Sequence, residues 1–213
     1  MCYQKINSFI EQCNPYQSGL LGEIEKFALK NNIPIISKEV SGFLSLILNL
    51  KRPKKILELG SAIAYSSILM SQFLSKDGFI VTIERSEKMI RLAKNNIAKS
   101  KLSCIKLIED DIENVLPNLK DSFDIIFFDA AKGQYINILP LCLDLLNNDG
   151  IIIADDILQD GRTVKNRYEI PRRQRTIHSR MNKFIHEIFN TPCLKSNIFK
   201  IGDGVIVAQK IKP

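Results

Sequence analysis

The stretch "KKILELG", residues 54–60, decides the fold. Four residues, Ile56, Leu57, Glu58 and Leu59, are apolar but for one acid, with lysines before them and glycine after. A short apolar run with such borders reads as a strand buried on both faces. The "SSILMSQFLSK" that follows has helical spacing instead. The same unit recurs along the chain: "FIVTIER", "CIKLIED", "FDIIFFDA" and "GIIIADD" are strand-like, and "SEKMIRLAKNNIAKS" and "YINILPLCLDLLNN" are helical. Buried strands alternating with helices imply an α/β fold, a parallel sheet covered on both faces. After "ADDILQDG" comes a polar loop, then a helix from about Arg172 to Phe189. In "SNIFKIGDGVIVAQK" two strands flank Gly202-Asp203-Gly204, a hairpin signal, so the sheet ends antiparallel.

Before residue 51, "LLGEIEKFALKNN" and "SKEVSGFLSLILNL" predict two or three helices, broken at Asn31, Asn32 and Pro34. With 213 residues, 45% of them hydrophobic, the expectation is a single domain over 1–213: a helical extension (1–50) and a core (51–213). No apolar run reaches the roughly 18 residues a membrane span needs, and the start lacks the basic-then-apolar order of a signal peptide. A soluble, cytoplasmic protein without membrane contact is expected. Cys2, Cys13, Cys104, Cys142 and Cys193 show no paired spacing and read as free thiols rather than a disulfide framework or zinc site.

In open α/β sheets ligands sit beyond the carboxyl ends of the strands, so the residues there carry the function. The first strand ends in Glu58-Leu59-Gly60-Ser61, without GxGxxG spacing or a Walker lysine. The second ends in Glu84, placed to accept hydrogen bonds from ribose hydroxyls. Together they suggest an adenosine ligand lacking a pyrophosphate. One such acid could equally be a solvated strand end; several together argue for a site. Asp129 ends the fourth strand, and Asp155 and Asp156 end the fifth. Three neighbouring carboxylates repel one another unless a cation joins them, and all-oxygen ligation suits Mg²⁺ or a similar hard ion such as Mn²⁺. Lys132 follows Asp129 by one turn, where a desolvated lysine beside a divalent cation can act as a general base.

"ILELGSAIAYSS", "VTIER", "EDDIENVLP", "FDAAKGQY" and "ADDIL", in this order and spacing, resemble the class I S-adenosylmethionine-dependent O-methyltransferases of the catechol and caffeoyl-CoA type. The resemblance runs from about Ile33 onward. It implies a Rossmann-like seven-stranded sheet with the last strand antiparallel, S-adenosylmethionine as cofactor, and N-terminal helices that cover the pocket or form a homodimer interface. Carried over residue by residue, Glu58 and Gly60 would shape the methionine pocket and Ser66 would bond the methionine carboxylate, with Ile36, Ser61 and Tyr65 also binding the cofactor. Glu84 would hold the ribose, Asp111 together with Asp110 would lie by the adenine, and Arg85 and Asp129 would also bind the cofactor. Asp129, Asp155 and Asp156 would be the metal ligands and Lys132 the catalytic base. Two departures stand out: Ala64 replaces the family's glycine, and Asp156 its third ligand, normally asparagine.

The net charge of +7 is concentrated. Eight basic residues between Arg162 and Lys183 face one acid, Glu169, whereas elsewhere 22 basic residues balance 22 acids. A basic stripe beside a catalytic mouth suits phosphate-backbone binding, although a solvated helix or a dimer contact would look the same. "DAAKGQY", the "IPRRQRT" segment and "IGDG" are most similar to the bacterial tRNA 5-hydroxyuridine methyltransferases. That resemblance implies a tRNA anticodon stem-loop as substrate, with Arg162, Arg167, Arg172, Arg173 and Arg175 on phosphates and Tyr135 against the extruded base. Two other readings stay open: a metal-dependent methyltransferase of small catechol-like phenols, and a non-catalytic RNA-binding protein that keeps the fold. His178 and His186 fall on the C-terminal helix and read as packing or surface groups.

Overall fold

The computed structural model describes residues 17–211 together with Lys5, Phe9, Ile10, Gln12 and Cys13. Cys2 and most of the helical segment expected before Gln17 lie outside the described residues. Two helices, α1 (Gly19–Lys30) and α2 (Lys38–Lys51), precede the sheet. Helix α2 starts where Ser37 Oγ accepts the Val40 amide at 3.2 Å, and it stops at Arg52, in the left-handed conformation ahead of Pro53.

Seven strands follow: β1 (Lys55–Leu59), β2 (Phe79–Glu84), β3 (Ile105–Glu109), β4 (Phe123–Phe128), β5 (Leu146–Ala154), β6 (Leu194–Phe199) and β7 (Val205–Lys210). Their order is β3-β2-β1-β4-β5-β7-β6. The five strands from β3 to β5 are parallel to their neighbours, and β7 runs antiparallel to both β5 and β6. This is the mixed sheet that the strand pattern and the Gly202–Gly204 turn predict. The chain builds outward from β1 to β3, then returns to lay β4 on the other side of β1. Two crossovers therefore diverge at the carboxyl ends of β1 and β4, the usual place for a ligand crevice.

Helices α3 (Tyr65–Ser71), α4 (Glu87–Ser100), α5 (Ile112–Val115), α6 (Tyr135–Leu145) and α7 (Arg175–Asn190) complete the fold. The last helix begins three residues later than the sequence pattern suggests, because Pro171 leads into a 3₁₀ turn at Arg172–Gln174. Strand β4 shows how both faces are covered. Ile125 and Phe127 pack with Leu44, Leu48 and Met70 on one side, while Ile126 and Phe128 pack with Tyr135, Ile138 and Phe184 on the other. Each such side chain contributes about 1.5–3 kcal/mol when fully buried, which outweighs the weak preferences of the short helices. Cys13, Cys104, Cys142 and Cys193 are free thiols. No helix among the described residues is long and apolar enough to cross a membrane.

Candidate active site

The crevice is built first by a close approach of two strand ends. Gly60, just past β1, has φ +99°, and a Cβ there would stand 2.5 Å from the Asp129 carbonyl oxygen. Glycine is needed both for the turn and for the contact. Ala62 and Ala64 follow with φ 43° and 64°, so the position at which Ala64 departs from the family pattern carries left-handed strain.

Glu58 lies under this turn, fully buried. Burial pushes its carboxyl up to about 7, partly offset by the hydroxyls of Ser66, Ser67 and Thr82. Ser67 Oγ and, at 2.6 Å, Thr82 Oγ1 both donate to one carboxylate oxygen. The other oxygen, Oε1, has no hydrogen-bond partner, and neither has the buried Ser61 Oγ. Two orphaned polar atoms beside the crevice suit a ligand that carries an ammonium and a carboxylate. The structure thus fits the methionine end of S-adenosylmethionine to Glu58, Gly60 and Ser61. Tyr65 is buried with its hydroxyl 3.5 Å from Ser41 Oγ on α2.

A cavity of about 200 Å³ opens next to these residues, lined by Gly60, Ala62, Glu84, Arg85, Asp110 and Asp129 among others. Glu84 is fixed by three amides, those of Ala62 (3.0 Å), Arg85 (2.9 Å) and Ser86 (2.8 Å). Arg85 reaches across to Asp111 at 2.7 Å, and Gln134 donates to Asp111 at 3.1 Å. These bonds contribute to holding the Asp111 carboxyl below its ordinary range, against the opposing effect of desolvation.

On the far side of the cavity, parallel pairing of β4 and β5 puts Asp129 beside Asp155, whose amide bonds the Phe128 carbonyl at 3.0 Å. Burial raises the Asp129 and Asp155 carboxyls, the latter to about 7, and repulsion among the three acids adds to this. Lys132 Nζ stands 3.3 Å from Asp129 and 3.3 Å from Asp156, and donates to Tyr135 Oη at 3.2 Å. Its pKa is raised, since Tyr135 and the carboxylates more than offset desolvation. Lys132, the expected base, is thus the cation that the cluster's own carboxylates hold. The donor chemistry fits a hard divalent ion: three oxygen acids carry charge that a single ammonium leaves uncompensated. Among the described residues no three ligating side chains converge on one point.

A larger cleft of about 580 Å³ adjoins the cluster, and Lys132, Asp156, Arg162 and Arg180 are among its lining residues. Of the expected RNA-binding residues, Arg162 lines it, whereas Arg167, Arg172 and Arg173 are exposed outside its wall. Arg175 turns inward, donating to the carbonyls of Ile170 (3.0 Å) and Tyr168 (3.3 Å) and lying over the Tyr168 ring. The expectation for Tyr135 is corrected. It is fully buried between Phe128 and Phe184 and donates to the Phe128 carbonyl at 2.9 Å, so no base can stack on it. His178 is buried against the Lys165 carbonyl and His186 is exposed; neither lines the cleft.

Sequence reasoning missed Gln134, Gln159, Arg180 and Asp203, all of which line this cleft. Gln134 sat inside the quoted "DAAKGQY". Gln174, Ile177 and Arg180 also had a signal, three-residue spacing along one helix face.

A doubly wound sheet with a reversed β7 and a nucleoside-sized cavity at the β1–β4 switch point defines the class I methyltransferase architecture. The family model described as O-methyltransferase matches residues 11–211. The chain is 31% identical over 172 residues to the catechol O-methyltransferase of Niastella koreensis, covering 74% of this chain and 78% of the relative. A Staphylococcus aureus crystal structure carrying the caffeoyl-CoA O-methyltransferase name superposes with a TM-score of 0.87 at 27% identity, over 99% of this chain and 100% of the other. The Podospora anserina methyltransferase PaMTH1, bound to S-adenosylhomocysteine, shares the fold with a TM-score of 0.87 at 24% identity, over 99% of this chain and 96% of the other. The chain belongs to the S-adenosylmethionine-dependent O-methyltransferases of the catechol and caffeoyl-CoA type.

Proposed function

We propose that the chain transfers a methyl group from S-adenosylmethionine to the 5-hydroxyl of 5-hydroxyuridine at the tRNA wobble position, giving 5-methoxyuridine. The observation that carries this reading is the location of the excess charge: Arg162 and Arg180 of the basic segment line the cleft beside Lys132. A 5-hydroxyl next to the 4-carbonyl of uracil offers the same pair of adjacent oxygens as a catechol. An anticodon base can enter the cleft without breaking a duplex. The protein would act in the cytoplasm as a homodimer.

Glu58, Ser61 and Ser66 hold the methionine end of the cofactor, Glu84 the ribose, and Asp110 and Asp111 the adenine side. Asp129, Asp155 and Asp156 would hold Mg²⁺ or a similar ion, which when bound supplies charge that releases Lys132 from its ion pairs and acidifies the substrate hydroxyl. Tyr135 keeps Lys132 Nζ at the cleft wall. Lys132 takes the hydroxyl proton, and the oxygen attacks the sulfonium methyl in line. The new O–CH₃ bond forms as S–CH₃ breaks, and the electron pair leaves with S-adenosylhomocysteine.

A second reading, methylation of small catechol-like phenols, is favoured by the identity to a catechol O-methyltransferase. The test is transfer from labelled S-adenosylmethionine to tRNA carrying 5-hydroxyuridine, with Mg²⁺ or with chelator, and to a simple catechol in parallel. Metal-dependent labelling of the tRNA is the expected result. Labelling of the catechol alone would overturn the RNA reading and leave the second one.

A further inference from the structure

Four cations line the large cleft, and they differ in how they are neutralised. Arg85 pairs with Asp111, Arg162 with Asp160 at 3.0 Å, and Lys132 with Asp129 and Asp156. Arg180 pairs with no carboxylate among the described residues. Its Nη1 instead donates to the Gly133 carbonyl at 3.2 Å. That carbonyl is neutral and offsets none of the guanidinium's charge, and the remaining N–H groups have no partner among the described residues. Gly133 is also where α7 meets the loop that carries Lys132: a Cβ there would touch Arg180 Nη1 at 3.8 Å and Ile177 Cγ1 at 3.9 Å. Among the described residues, the cleft cation without a carboxylate partner is thus anchored to the residue next to the expected base.

We infer that Arg180 is a specificity-determining residue that binds an anionic group of the substrate close to the reacting hydroxyl. The inference rests on the proposed RNA reading for the identity of that anion. In an anti nucleotide the C5 edge of uracil faces its own 5′-phosphate, so the phosphate nearest the methylated oxygen is that of the target nucleotide. A guanidinium held by one N–H and free on its others matches the fork geometry of phosphate recognition. This contact differs from those of Arg167, Arg172 and Arg173, which lie outside the cleft and would meet the RNA at a distance from the base.

The experiment compares 5-hydroxyuridine 5′-monophosphate with the 5-hydroxyuridine nucleoside as methyl acceptors. Metal and cofactor are saturating, the acceptor is varied in excess over enzyme, and the proteins are wild type, Arg180→Gln and Arg180→Lys. Wild type should prefer the monophosphate by about tenfold or more in kcat/KM, through KM, as expected for one charge-assisted pair. In Arg180→Gln that ratio should fall toward one, and Arg180→Lys should recover part of it. Melting temperature and cofactor affinity, measured alongside, identify a folding defect. A ratio that survives in Arg180→Gln overturns the inference. If neither uridine is methylated but catechol is, the RNA reading has failed, and 3,4-dihydroxybenzoate against catechol decides the inference. Loss of a carboxylate preference in Arg180→Gln then sustains the anion site with a different anion, and an unchanged ratio overturns it.

Discussion

At the scale of single residues, the site stores charge in places where water cannot reach it. Glu58 titrates near 7 in the folded protein and near its ordinary 4.5 when unfolded. Below pH 4.5 both states are protonated; between 4.5 and 7 the folded state keeps a proton that the unfolded state has lost. Stability of the cofactor-free protein therefore falls as pH rises through that window, by roughly 3 kcal/mol from this group. Asp155, also raised to about 7, contributes with the same sign. Glu58→Gln should flatten the profile of melting temperature against pH between 4.5 and 8; a profile as steep as wild type would show that Glu58 is not strained by burial. Lys132 makes a second prediction. Lys132→Ala should lower kcat by 10²-fold or more, in the range of general-base loss, while cofactor affinity measured by calorimetry stays within about twofold. Turnover retained by that variant would remove the lysine from the proton transfer.

At the scale of elements, α7 and the loop before it divide into parts that face inward and parts that face solvent. Arg175 ties the 167–170 turn to the helix through two carbonyls and a ring, so Arg175→Ala should cost about 1 kcal/mol of stability, read by urea unfolding. Arg172→Ala and Arg173→Ala, on an exposed 3₁₀ turn, should leave the unfolding midpoint where it is. A midpoint shift of equal size in all three would contradict the division. This split was not legible in "IPRRQRT", where the three arginines look alike; only the packing of Tyr168 and Ile170 against α7 separates them. The strand ends were legible for the opposite reason. Glu58, Glu84, Asp129 and Asp155 each follow an apolar run too short to be anything but a strand, and parallel order alone gathers them at one edge. Tyr135 was misread because its burial depends on Phe128 and Phe184, one of them 49 positions away in the chain.

At the scale of the whole molecule, the net charge of +7 is carried by one segment of the chain, residues 162–183, and the proposed RNA contact would make that segment's binding salt-sensitive. The slope of log affinity for tRNA against log salt should flatten by about 0.7–0.9 for each of Arg172 and Arg173 that is exchanged for alanine. A slope equal to wild type would assign the stripe to something other than phosphate. The two cavities also share a partition: Arg85, Ala131 and Gln134 form part of the wall of both. Traffic through the enzyme inherits an order from that arrangement. An acceptor seated over the outer cleft would cover that shared wall, and the expected order is then methyl donor first and its spent form last. S-adenosylhomocysteine should then inhibit competitively against the donor and noncompetitively against the acceptor, and a random-order pattern would mean that the partition yields. Under the ordered scheme spent donor waits for the methylated acceptor to leave before fresh donor can enter, as a turnstile admits one passage at a time.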